Sequence, residues 1–140
     1  MTKAILAKAV LAGVAVLGLA ACEPPSAPNA YAGEASVPAA NAGGLFQQVC
    51  VVNQNQLAEA PKVLGQLPFT RNSTEDIYYH NTFNLSFKLT SQPAGAICSM
   101  VWSSTDNAGT NRATILSVAP GAVFRDVNNG LLTSAIIGAQ

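Results

Sequence analysis

The side chains able to do chemistry are few in this sequence of 140 residues: three cysteines, Cys22, Cys50 and Cys98, one histidine, His80, and seven carboxylates. Near neutral pH, acid–base catalysis would fall to His80 or to a carboxylate shifted far from its ordinary pKa. Asp76, His80 and a serine such as Ser99 would compose a hydrolytic triad, yet no G-x-S-x-G elbow surrounds any serine to present its hydroxyl. Paired carboxylates would serve glycoside hydrolysis, but Glu75 and Asp76 are adjacent, and neighbours on a strand point to opposite faces. The plainer reading of Tyr78, Tyr79 and His80 is a strand entering a sheet, with the tyrosines on opposite faces and His80 hydrogen-bonded or exposed at its edge. That reading is preferred, and with it a protein that is not an enzyme.

Metal and cofactor chemistry find no better footing. Zinc asks for four clustered nitrogen or sulfur ligands, whereas Cys50, Cys98 and His80 lack ligand spacing. Asp106, Asn107 and Gly109 lack the alternating ligands and closing glutamate of a calcium loop and read as a turn. No glycine-rich phosphate cradle occurs, so no cofactor and no metal are expected. Trp102 shares a strand face with Cys98 and Met100 and reads as core rather than as a recognition anchor.

Cys22 stands apart because of what precedes it. Lys3 and Lys8 lead into an uncharged run over residues 9–21 that ends in Leu19, Ala20 and Ala21, the layout of a secretory signal peptide. The run is well short of the roughly 20 residues that span a bilayer, so removal explains it better than a permanent anchor. The segment LAAC resembles the lipobox of bacterial lipoproteins. The resemblance implies cleavage before Cys22, acylation of Cys22 and, with glutamate rather than aspartate at position 23, sorting to the outer membrane on its periplasmic side.

Loss of the leader takes Lys3 and Lys8 with it and leaves five scattered cations against seven acids, a net charge of −2. Nucleic-acid binding needs clustered cations that neutralise phosphates, so it is not expected. The same scarcity argues against a polybasic membrane patch and leaves membrane attachment to lipid on Cys22. Once Cys22 is acylated, Cys50 and Cys98 remain, separated by 47 residues, in a chain that has left the reducing cytosol. A structural disulfide is expected between them, since redox-active pairs sit close in sequence.

These residues need elements to hold them. Residues 22–44 are rich in Pro, Ala and Gly and read as a flexible tether with a reach of about 20 to 30 Å. The domain is then expected over residues 45–140, near the size where one core is only modestly stabilising. Leu45, Phe46, Val49 and Cys50, then Leu57, Ala60, Val63 and Leu64, keep helical spacing, with Gly65 and Pro68 placed to end the second helix. Residues 71–74 read as a turn. Phe83, Leu85, Phe87 and Leu89 alternate with polar residues as a strand, 92–95 make a hairpin, and 97–103 a second strand. A third strand is expected over 113–118. Val123, Phe124, Val127 and Leu131 keep helical spacing, and Leu132, Ile136 and Ile137 extend that helix or form a last strand.

The resulting expectation is a small single α+β domain: N-terminal helical segments disulfide-linked to an antiparallel sheet of about three strands, then a C-terminal helix. Through the pieces LFQQVC, DIYYHNTFNLSFKL and CSMVW, the domain is similar to small two-cysteine exported domains, a likeness that implies no activity. The function expected is a non-enzymatic binding or assembly role at the envelope, with an envelope protein as a possible partner. The alternatives are an inhibitor of an exported enzyme, such as a lysozyme or protease, and a small hydrolase centred on His80.

Overall fold

The computed structural model describes residues 33–127 and 132–138; the leader, Cys22, residues 23–32 and Leu131 lie outside them. In chain order the elements are α1 (Ala39–Phe46), a π-helical turn (Gln47–Val51), a 3-10 turn (Leu57–Glu59) and α2 (Ala60–Gln66). There follow β1 (Phe69–Asn72), β2 (Ile77–His80), β3 (Leu85–Gln92), β4 (Gly95–Trp102), α3 (Ala108–Val118), β5 (Val123–Val127) and β6 (Leu132–Gly138). All strand pairs are antiparallel, and the sheet order is β1-β2-β3-β4-β6-β5.

The fold is α+β, but its sheet has six strands where about three were expected. One sheet face is apolar and helix-covered. Register places Tyr78, Phe87, Met100 and Ala135 in one row across β2, β3, β4 and β6, with Leu85, Cys98 and Trp102 on the same face. Those residues join Val37, Ala42, Phe46, Val49, Leu64 and Ile115 of the helical layer in a single core. Trp102 is fully buried within it, as its shared face with Cys98 and Met100 required. The β3–β4 hairpin closes as expected, with Gln92 opposite Gly95 and Gly95 in the positive-φ conformation open to glycine.

Cys50 and Cys98 are joined, their Cα atoms 5.6 Å apart. The π-helical turn, in which the Val52 N–H reaches the Gln47 carbonyl at 3.0 Å, turns both Val49 and Cys50 inward. Asn53 then folds back, donating from Nδ2 to the carbonyls of Gln48 at 3.1 Å and Val49 at 3.0 Å. The carbonyls left over at a helix end are thereby satisfied by a buried side chain.

Four local expectations are corrected. The tether expected up to Gly44 belongs to the fold over residues 33–44, where Val37 is buried and α1 begins at Ala39. Small residues at 39, 42 and 43 are the reason: they let α1 approach α3 so closely that a Cβ on Gly43 would lie 2.7 Å from Thr114 Cγ2. Residues 113–118 are helix rather than strand, because Asn107 caps α3 by accepting the Thr110 N–H at 2.9 Å and directs Asn111 and Ile115 inward. The C-terminal helix is replaced by β5 and β6, paired from Val123–Ile136 to Val127–Leu132. Gly65 lies inside α2, and the helix ends instead where Leu67 turns extended ahead of Pro68.

Pro38 offers α1 no capping side chain, and the Ala39 N–H donates at 2.7 Å to Oδ2 of Asp106, 67 residues away. Asp106 is itself held: its N–H donates to Ser104 Oγ at 3.0 Å and its carbonyl accepts from Asn111 Nδ2 at 3.3 Å, while Ser104 Oγ donates to Asn111 Oδ1 at 2.8 Å. One loop therefore caps α1 and α3 together. Asp106→Ala is expected to lower unfolding free energy in urea by about 1–2 kcal/mol, the usual cost of a lost cap. Gly44→Ala, where an added Cβ meets nothing within 4 Å, should gain about 0.5–1 kcal/mol, whereas Gly43→Ala should lose that gain against Thr114.

Candidate functional site

His80 is the first residue to place, since hydrolytic chemistry would depend on it. It is a buried residue at the end of β2, within the sheet rather than at its edge. Its ring lies 4.9 Å from Phe69 and 4.8 Å from Phe83 between centroids. Nδ1 accepts the backbone N–H groups of both Thr82 and Phe83 at 3.1 Å, which fixes the neutral ring with its proton on Nε2. Burial pushes its pKa below the ordinary histidine value.

The envisaged triad is not assembled. Asp76 is held by Arg71, and Ser99 lies on the opposite sheet face from His80, its Oγ donating to the Lys88 carbonyl at 3.3 Å. Glu75 is likewise committed, accepting the Tyr79 hydroxyl at 2.8 Å. Burial first, and that carboxylate second, push Tyr79 up to about 12. Asp106 and Asn107 serve as helix caps, and Cys50 and Cys98 are consumed by their bond.

The polar groups that do converge lie elsewhere, in a cleft of about 360 Å³ on the helix-covered side. Its floor and walls are Leu57, Ala58, Pro61, Leu89 and Ala96, its polar side chains come from Arg71, Asp76, Tyr78 and Ser91, and Thr90, whose side chain the register turns to the other sheet face, borders it. Local sequence explains the geometry. The β1–β2 hairpin pairs Asn72 with Ile77, and Asn72 Oδ1 accepts the Thr74 N–H at 3.0 Å to organise the turn. Asp76 closes that turn at φ 55°, a conformation aspartate tolerates better than most side chains. From there its Oδ1 accepts Arg71 Nε at 3.0 Å and Nη2 at 2.7 Å.

Those hydrogen bonds, with the Tyr78 ring 5.7 Å from the guanidinium, hold Arg71 firmly charged, above its ordinary pKa. Both partners stay about half exposed, at 54% and 53% of their side-chain surface, so the pair is available to a ligand. The opposite wall reaches the sheet because the disulfide brings the helical segment onto β4, ahead of the 3-10 turn that carries Leu57 and the start of α2 that carries Pro61. Sequence reasoning treated Arg71 as a turn residue and Asp76 as a triad candidate. The signal that connects them is the hairpin: a turn of residues 73–76 pairs Arg71 with Tyr78 and leaves Asp76, at the end of the turn, within reach of the guanidinium.

Comparison with protein-family models, with curated proteins and with solved structures finds no match to this chain. The buried, neutral His80 carries a pH dependence that can be read directly. Below about pH 6.5 the unfolded chain takes up a proton that the folded ring resists, so stability present above that pH is lost as pH falls towards the lower folded value. Urea midpoints measured from pH 7.5 to 5 should fall for the wild type, and His80→Asn should flatten that part of the profile.

Proposed function

We propose that this protein is a lipid-anchored component of a bacterial envelope, carrying on Cys22 the lipid that holds it and acting by non-enzymatic binding through the Arg71–Asp76 cleft. The address rests on the sequence LAAC after a short apolar run, and the joined Cys50 and Cys98 suit an oxidising compartment. The observation that carries the binding role is the cleft itself. Its charged groups neutralise each other at a half-exposed surface, an arrangement that offers hydrogen bonds to a ligand. His80, the alternative centre, has its Nδ1 lone pair taken up by two backbone amides and is buried.

Anchoring is tested in the producing bacterium. Globomycin, which blocks lipoprotein signal cleavage, should cause a larger precursor to accumulate, palmitate label should enter the mature protein, and Cys22→Ser should abolish the label. Unchanged size together with absent label would remove the anchor from the account.

A further inference from the structure

The helical layer packs on one face of the sheet, and the opposite face carries side chains of another kind. There the register sets Lys88, Ser99, Ile136 and Val123 in one row across β3, β4, β6 and β5. The next row holds Val101, Ser134 and Arg125, and Ile97 stands two residues along β4 from Ser99. Ile97, Val101, Ile136 and Val123 therefore adjoin, yet none of them belongs to the core or packs against it among the described residues. Val123 is 58% exposed. Contiguous exposed apolar side chains with polar ones at their border mark an interaction surface.

Charge selects the occupant. Lys62 and Arg71 are paired with Glu59 and Asp76, and Arg112 lies over the Phe124 ring at 5.3 Å. Lys88 and Arg125 make no ion pair or ring contact among the described residues, and both stand exposed on this face, on either side of Val101 and Ile136. Asp126, the only acid in the described strands, alternates with Arg125 and so turns to the helical side. A second copy would bring two more cations to a face whose strands offer no acid, so self-association is disfavoured. An anionic surface with an apolar interior beneath it suits the cations and the aliphatic side chains together.

Chain length brings such a surface within reach. With lipid on Cys22, the reading on which this inference rests, only residues 23–32 separate the acylated cysteine from Gly33, the first described residue. Fully extended, that segment spans no more than about 40 Å. Two cations would bind a free protein to lipid only weakly, but a short tether makes docking an intramolecular step at an effective concentration of about millimolar. Weak contacts then suffice to orient the domain.

We propose that this open sheet face lies on an anionic phospholipid bilayer, with Lys88 and Arg125 against anionic headgroups and Val101, Ile136 and Val123 between them at the headgroup boundary. The cleft of Arg71 and Asp76, on the helical side, then opens away from the membrane. The test uses ¹⁵N-labelled mature protein, its acylation at Cys22 established by mass, in nanodiscs of phosphatidylcholine and phosphatidylglycerol bearing nitroxide headgroups. Amides of Ser99, Val101, Val123 and Ile136 should broaden more than those of Arg112, Ile115 and Leu116 in α3, which lie a packed layer further from the lipid. Lys88→Gln combined with Arg125→Gln should lower the ratio of docked to free orientations about tenfold, as should nanodiscs of phosphatidylcholine alone. Both side chains are exposed, so the thermal midpoint of the double variant should stay near that of the wild type. Equal broadening of the two layers in acylated protein would overturn the docking while leaving the anchor in place, and so would stronger broadening in α3. Absence of the acyl mass would overturn both. Open-face broadening that persists without phosphatidylglycerol and without the two cations would overturn the anionic partner. A dimer mass in detergent micelles, with Val123 and Ile136 amide shifts that reverse on dilution, would give the face to a second copy and overturn the proposal.

Discussion

The bond between Cys50 and Cys98 is the constraint on which the remaining structure rests. It fastens the centre of the N-terminal helical segment to the middle of β4, itself flanked by β3 and β6. The helices it secures are short: eight residues in α1, seven in α2 and eleven in α3. Helices of that length have little stability of their own in water, and α1 contains two glycines besides. Tertiary fastening must take over. The disulfide supplies it at one end of the helical layer, and the loop carrying Asp106 and Asn107 supplies it at the other by capping α1 and α3.

The cleft follows from the same constraint. One wall of the cleft is the segment around Leu57 and Pro61, which the disulfide and Asn53 bring down onto the sheet. The other is the end of the sheet where the β1–β2 turn sets Asp76 against Arg71. His80 belongs to a different task. By accepting the Thr82 and Phe83 amides it shapes the loop whose backbone also receives the entering chain, with the Gly33 N–H on the His80 carbonyl at 2.9 Å and the Ala35 N–H on the Thr82 carbonyl at 3.2 Å.

Alternation made part of this legible. Leu85, Phe87 and Leu89 opposite Cys98, Met100 and Trp102 define β3 and β4 at the sequence level, and the pairing of the cysteines followed from their number and the export reading. Elements whose apolar content is small escaped. Ala39, Ala42, Gly43 and Phe46 have helical spacing, but alanine and glycine weigh little on any hydrophobic measure, so close packing against Thr114 has no sequence signal of comparable strength. The run Ala113, Thr114, Ile115 and Leu116 favours strand by its β-branched residues until the cap at Asn107 is counted. In β5 the charges of Arg125 and Asp126 interrupt the alternation, and pairing with β6 alone makes it a strand. The cleft was hidden for a similar reason: Arg71 and Asp76 meet through a hairpin register, which depends on turn chemistry rather than on periodicity.

The claim that the disulfide fastens the helical layer is tested most directly by urea unfolding of the oxidised protein, followed through Trp102 fluorescence with and without reductant. Opening a loop of about 49 residues should remove about 4 kcal/mol of stability on the chain-entropy model and move the transition far to lower urea. Coincident transitions, in a sample whose thiols are shown to be oxidised before reduction and free after it, would contradict the account.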